Sequence, residues 1–274
     1  MTYLTSNQLK QYNEKGYLAP IDILSKSEAL AARAEIELIE REMPNEIDKS
    51  GRYNVHLISP KLDSIVHNSK ILDAVESIIG RNILVCSSTL FIKNPNEQGF
   101  VSYHQDAKYI GLEPHNWVTV WVALTNSFKE NGCMKMWPKS HLEIKDHNEK
   151  FDKGNLLTRG QTVENVPENE IELVELKAGQ ISLHHPKIVH GSGINKSNDR
   201  RIGFVIQSYI GTNVKQILGK NSVQLARGID EFNNHQKIGR PNKLLDKLDL
   251  KIKKRENDNL QEIFYKGSPK KGNF

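Results

Sequence analysis

Cysteine is nearly missing: Cys86 and Cys133 are the only two in 274 residues, too few for a disulfide framework. No apolar run comes near the roughly 18 residues a membrane helix needs. Residues 1–17 are polar and lack the apolar stretch of a secretory signal. No internal repeat and no clear linker interrupts the chain, so one domain spanning 1–274 and a cytoplasmic location are expected. A strong charge of one sign is absent too, since the net charge is only +5. The excess gathers late, at Lys251, Lys253, Lys254 and Arg255, then at Lys266, Lys270 and Lys271. Nucleic acid or a membrane surface would use such a cluster. Few aromatics interleave with it and no nucleic-acid motif accompanies it. A solvated helix face with a frayed tail is expected, with neither kind of partner.

What is present suits a folded core: 37% hydrophobic and 26% charged residues. The first eighty residues read as helical support. Ser25 or Ser27 can cap a helix carrying Leu30, Ala34, Ile36 and Leu38, and Ile71, Leu72, Val75, Ile78 and Ile79 form a second, ended by Gly80. The texture then changes. Residues 83–93, 117–124, 171–176, 179–185 and 201–209 are rich in β-branched and aromatic residues and bounded by Gly, Pro and Asn. Asn131-Gly132 signals a tight turn between two such runs. An antiparallel double sheet buttressed by helices is expected, its core within 81–210. A polar segment, 143–168, is too long for an ordinary connection and reads as a lid-like insertion. Residues 221–274 return to a weakly helical, basic pattern.

The chemistry begins at "SYHQDAKYIG". On a strand, residues two apart face the same side, so His104 and Asp106 can aim a nitrogen and a carboxylate at one point. Two histidines and one carboxylate leave positions open on an octahedral iron, as oxygen chemistry needs. The pair alone is a weak signal, since a surface His beside a surface Asp is common. A further ligand has to come from His141, His147, His184, His185, His190 or His235, and spacing alone does not choose among them.

The stretch "HQDAKYIGLEPHNWVTVWVALTNSFKENGCMKMWPKSH", followed by "HGSGINKSNDRRIGF", resembles the phytanoyl-CoA dioxygenase family of iron(II)/2-oxoglutarate-dependent oxygenases. It is most similar to the bacterial branch described as chlorinating-enzyme-like. The likeness covers about residues 80 to 210 and implies a mainly β, cupin-like fold, the double-stranded β-helix or jelly roll. It implies His104, Asp106 and His190 as iron ligands, and Arg201 as partner of the distal 2-oxoglutarate carboxylate, a role suited to a planar guanidinium. Ser192 would add a hydrogen bond to that carboxylate, while Trp121 and Thr89 match cosubstrate-pocket positions. Arg200 is expected to point outward. "ENGCMKMWPKSH" would be a hairpin beside the site, with His141 near the substrate but not a ligand. Tyr103, Lys108, Tyr109 and Trp137 are candidates to reach the substrate.

The implied cofactors are Fe(II), 2-oxoglutarate and O2, and the implied products are succinate, CO2 and a substrate hydroxylated at an unactivated C–H bond. Halogenases of that branch carry a small residue where Asp106 stands, so hydroxylation and no halogenation is expected. Lys93, Lys108 and Arg159 point to a small anionic metabolite, a 2-aminoethylphosphonate-like compound being one candidate. A CoA- or carrier-protein-tethered acyl or aminoacyl group is the alternative. A non-catalytic jelly-roll binder need not retain all four key residues. A zinc hydrolase has no use for Arg201.

Overall fold

Every residue of Trp117–Ala123 is buried, which requires cover on both faces of that strand. Helices supply one cover and a second sheet the other. The structure is a computed structural model describing residues 3–48 and 51–268. Lys270 and Lys271 of the basic tail lie outside the described residues.

The chain opens with α1 (Ser6–Lys15), β1 (Tyr17–Asp22), α2 (Lys26–Glu42), α3 (Pro60–Val66) and α4 (Ser69–Ile79). Then come β2 (Ile83–Val85), β3 (Ser88–Lys93), β4 (Val101–His104), the single turn α5 (Ala107–Ile110), β5 (Leu112–Glu113) and β6 (Trp117–Ala123). Next are β7 (Met134–Trp137), β8 (Asn148–Glu149), β9 (Gln161–Thr162), β10 (Glu172–Val174), β11 (Gln180–His184) and β12 (Val189–Ser192). The last are β13 (Arg201–Gly211), β14 (Lys215–Gln216), β15 (Ser222–Arg227), β16 (Gln236–Lys237) and α6 (Lys247–Tyr265).

The larger sheet runs β1-β11-β6-β13-β2-β15-β16, with β3 also on β13, and the smaller runs β10-β7-β12-β4. Together they form the double-stranded β-helix. Val118, Val120 and Val122 join Ile36, Ile39, Ile71 and Val75 in the core between larger sheet and helices. Trp121 and Ala123 join Met134 and Met136 of β7 in a separate core between the sheets. Strand alternation alone sorts these residues.

Four local expectations need correction. The first eighty residues are not purely helical: β1 pairs with β11 and forms the edge of the larger sheet. In α2 the buried stripe is Ala29, Ala32, Ile36 and Ile39, with Leu30 49% exposed; spacing of four between apolar residues found the helix but misplaced its face. Asn131-Gly132 does not join neighbouring strands. Both edges of β6 are taken by β11 and β13, so β7 pairs instead with β10 and β12. The turn is a crossover between sheets, with Gly132 at φ 75°, where a Cβ would collide with the Gly193 carbonyl oxygen. Finally, 221–265 is not one weak helix: β15 extends the larger sheet beside β2, and only Lys247–Tyr265 is helical.

Candidate active site

β4 and β12 are antiparallel neighbours in the smaller sheet, and their register sets His190 opposite His104, with ring centroids 4.2 Å apart. Each ring is oriented the same way. His104 Nδ1 lies 2.9 Å from the Ser102 carbonyl, and His190 Nδ1 lies 3.1 Å from the Ile188 carbonyl. A carbonyl only accepts, so Nδ1 carries the proton and each Nε2 keeps its lone pair for a metal. Burial pushes His190 down to about 3, which keeps it neutral.

Asp106 arrives by a different route from the one expected. β4 ends at His104, and Asp106 has helical φ −58° and ψ −41° at the start of α5. Strand alternation therefore does not place it. The pivot is Gln105, fully buried, whose Nε2 donates to the Glu143 carbonyl at 2.8 Å and whose Oε1 accepts from Lys145 N at 2.7 Å. These bonds pin the corner and swing the Asp106 carboxylate under the histidines, Oδ1 lying 3.4 Å from His104 Nε2. Burial works against the Asp106 charge, but the imidazoles of His104, His190 and His184 hold its carboxyl well below the usual range.

One donor atom each from His104, Asp106 and His190 lies within 4.8 Å of the others. Two imidazole lone pairs and a carboxylate thus converge, with no lysine or arginine bonded to Asp106 among the described residues. That donor set fits a divalent iron, with sites left open.

Deeper in the barrel the charge reverses. Lys93 of β3 and Arg201 of β13 are cross-strand partners, 0% and 1% exposed. Lys93 Nζ donates to Ser192 Oγ at 2.7 Å and to the Gly193 carbonyl. Arg201 Nη2 donates to the Gly132 carbonyl at 2.9 Å and reaches Ser192 Oγ at 3.4 Å. The Trp121 ring lies under the guanidinium at 5.4 Å, and Gly203 leaves room for that ring. Burial lowers Arg201 to about 10, and burial together with the Arg201 charge lowers Lys93 to about 5. A buried guanidinium and a buried amine facing one hydroxyl, with no carboxylate bonded to either among the described residues, can offer donors to an anion.

The expected residues divide accordingly. His104, Asp106, His190, Ser192, Trp121 and Arg201 all line one cavity. Thr89 does not: it is fully buried in β3, and its hydroxyl donates to Gln207 Oε1 at 2.8 Å, so Gln207 rather than Thr89 meets the cavity. Tyr109 lines it, whereas Tyr103, Lys108, Trp137 and His141 do not; His141 bonds the Asn13 carbonyl at 3.1 Å. Arg200 points away to Glu40, at 2.7 Å. Among the cations offered for the substrate, Lys108 is exposed. Arg159 is paired with Glu149 and donates to the Phe264 carbonyl at 2.7 Å. Lys93, the third cation offered for the substrate, instead stands with Arg201 at Ser192. His184, one of the candidate ligands, lines the cavity outside the donor set. Gln105 and Gln207 carried no recognised role in the sequence. The signal available for Lys93 was a lysine ending an apolar strand directly before Asn94-Pro95.

The rest of the wall is mostly apolar: Tyr53, Phe91, Val101, Ile110, Leu157 and Phe264. Leu157, Thr158 and Gln161 come from the 143–168 segment. That segment is a small hairpin of β8 on β9, tied to β4 where Val163 N donates to the Tyr103 carbonyl.

Comparison with known proteins agrees with this geometry. The profile of the family described as "Phytanoyl-CoA dioxygenase (PhyH)" matches residues 12–203. The chain is 27% identical over 234 residues to a "Probable alpha-ketoglutarate-dependent hypophosphite dioxygenase" of Stutzerimonas stutzeri, covering 78% of this chain and 81% of that protein. Among solved structures, "non-heme monooxygenase; ThoJ apo" superposes with a TM-score of 0.82 at 30% identity, over 93% of this chain and 96% of that one. "CytC3 with Fe(II) and alpha-ketoglutarate" shares the fold at 22% identity and a TM-score of 0.65, over 86% and 93%.

Proposed function

Because this chain belongs to the phytanoyl-CoA dioxygenase family, an iron(II)/2-oxoglutarate-dependent oxygenase family, we propose that it hydroxylates an unactivated C–H bond of a small metabolite. Its cofactors are Fe(II) and 2-oxoglutarate, with O2 as second cosubstrate. When bound, that set supplies an oxidation of the substrate coupled to breakdown of 2-oxoglutarate to succinate and CO2.

The observation that carries the reading is the spacing of opposite demands in one cavity. His104, Asp106 and His190 offer electron pairs to a cation, while Arg201 and Ser192, backed by Lys93 behind the cavity wall, offer donors to an anion. In this reading the first three hold the iron. Arg201, Lys93 and Ser192 hold the distal carboxylate of 2-oxoglutarate, and Trp121 fixes the guanidinium plane. Asp106 occupies the position that a halogenase leaves to chloride, which favours hydroxylation.

The substrate faces the aromatic wall and the 143–168 segment, which we assign as a lid that excludes water. Gln161 from this lid presents a buried Oε1 with no hydrogen-bond partner among the described residues, an acceptor for a hydroxyl or amine of the substrate. A second reading, oxidation of a phosphorus oxyanion or phosphonate, is favoured by the relative named as a hypophosphite dioxygenase. Against it, Arg159 is bound to Glu149, and Lys93 and Arg201 stand together at Ser192.

The test is anaerobic addition of Fe(II) and 2-oxoglutarate, read by the visible metal-to-ligand charge-transfer band. The band should form in the wild type and weaken in Arg201→Ala and in Asp106→Ala. Tightly held zinc with no band would overturn the reading. Succinate release over a panel of neutral, aminated and phosphonate compounds then identifies the substrate class, and product mass in chloride buffer separates hydroxylation from chlorination.

A further inference from the structure

His184 closes β11 and turns its imidazole into the barrel beside the iron-ligand triad. It is 1% exposed and lines the cavity. Neither of its ring nitrogens has a hydrogen-bond partner among the described residues. A buried polar group left in that state is destabilising. Leucine or phenylalanine would fill the same space without that penalty, so the ring has a task that the protein alone does not complete.

Its nearest polar neighbour identifies the task. His184 Nε2 lies 3.9 Å from Asp106 Oδ2. Among the described residues that oxygen has one other donor, Thr119 Oγ1 at 3.2 Å, and Thr119 stands closer to the Gln207 carbonyl at 2.8 Å. A hydroxyl has a single proton, so the nearer carbonyl takes it and Oδ2 lacks a dedicated donor. His184 and Thr119 are register partners on β11 and β6, and together they floor the site beneath the carboxylate. His184 is not itself in the donor set whose atoms lie within 4.8 Å of one another.

We propose that His184 is a positioning residue for the metal site: its neutral ring donates from Nε2 to Asp106 Oδ2, leaving Oδ1 to face the ion. A small rotation brings the pair to the roughly 2.9 Å of an N–H···O bond. This inference rests on Asp106 being a ligand, as proposed above. Partners of this kind typically carry about tenfold to a hundredfold in metal affinity.

The test is calorimetric titration of the full chain with Co(II) under nitrogen, with thermal melts as a check on folding. His184→Phe should stay folded and lose about tenfold to a hundredfold in Co(II) affinity. His184→Gln, which keeps an N–H donor, should recover most of that loss. His184→Leu repeats the experiment should the phenylalanine variant not fold. A folded Phe or Leu variant that binds Co(II) as tightly as wild type overturns the proposal, and so does a Gln variant no better than Phe. Asp106→Ala separates the two layers: unchanged Co(II) binding there defeats the ligand assignment itself, whatever the His184 variants do.

Discussion

Single residues carry the sharpest consequences here, and Lys93 leads them. Burial and the Arg201 charge lower its pKa to about 5, so the ammonium is mostly deprotonated at neutral pH while no anion is bound. A carboxylate seated against it restores the charge. Binding of 2-oxoglutarate at pH 7.5 is therefore expected to take up a proton, and its affinity should fall as pH rises. Calorimetry in two buffers of different ionisation enthalpy measures the uptake; Lys93→Met should abolish it. The linkage to stability has the opposite sign. The unfolded chain keeps a proton on this lysine up to about pH 10.4 and the folded chain does not, so cosubstrate-free stability rises with pH across that window. Removing the other cation is more severe. Arg201→Ala should weaken 2-oxoglutarate binding at least thirtyfold, about 2 kcal/mol, checked by titration with the cosubstrate.

At the scale of elements, the helices begin where their caps lie. Ser25 accepts from Glu28 N while the Glu28 carboxylate accepts from Ser25 N, a reciprocal box. Ser25→Ala should cost about 1 kcal/mol in urea unfolding. The 143–168 segment, proposed above as a lid, is latched to the last helix. Arg159 joins Glu149 to the Phe264 carbonyl and lies 5.0 Å over the Tyr109 ring, and Tyr265 OH donates to the Thr158 carbonyl at 3.1 Å. Arg159→Met leaves Glu149, 20% exposed, with the Ser268 hydroxyl but no cation among the described residues, and should destabilise by about 2 kcal/mol. It should also speed hydrogen exchange in residues 155–161, which separates a loosened lid from a general loss of stability.

The basic cluster of that helix also resolves at this scale. Lys254 pairs in solvent with Asp258, as a solvated face would. Lys253 is instead 1% exposed and binds Glu46 and the Gly51 carbonyl, each at 2.7 Å, so it anchors the helix. Strand runs were legible because β-branched residues alternate with turns. β1 and β15 were not, since Tyr17–Asp22 contains a proline and Ser222–Arg227 alternates too weakly to declare a strand.

For the whole molecule, a donor set for a cation and a donor set for an anion stand in one barrel, with Arg201 buried and not bonded to a carboxylate among the described residues. Ligands that bind only the folded state stabilise it, by about 2.7 kcal/mol at a hundredfold excess over Kd. Manganese(II) and 2-oxoglutarate under nitrogen should therefore raise Tm together by more than the sum of their separate shifts. Independent shifts would show that the two clusters are not one site.

Read alone, the sequence determined the strand-rich core, and its motif order, a local property, carried the resemblance that named a candidate metal set, a candidate carboxylate-binding arginine and the jelly-roll class. Tertiary structure decided what depends on contacts between distant segments. Gln105, held by carbonyls around residues 140–145 and 187, swings Asp106 into place. Lys93 reaches the anion site because β3 happens to pair with β13. Arg159, an apparent substrate cation, is neutralised by a carboxylate ten residues earlier and a helix end over a hundred residues later. Charge in a sequence is only an inventory; burial and partner decide whether it binds a ligand or the protein itself.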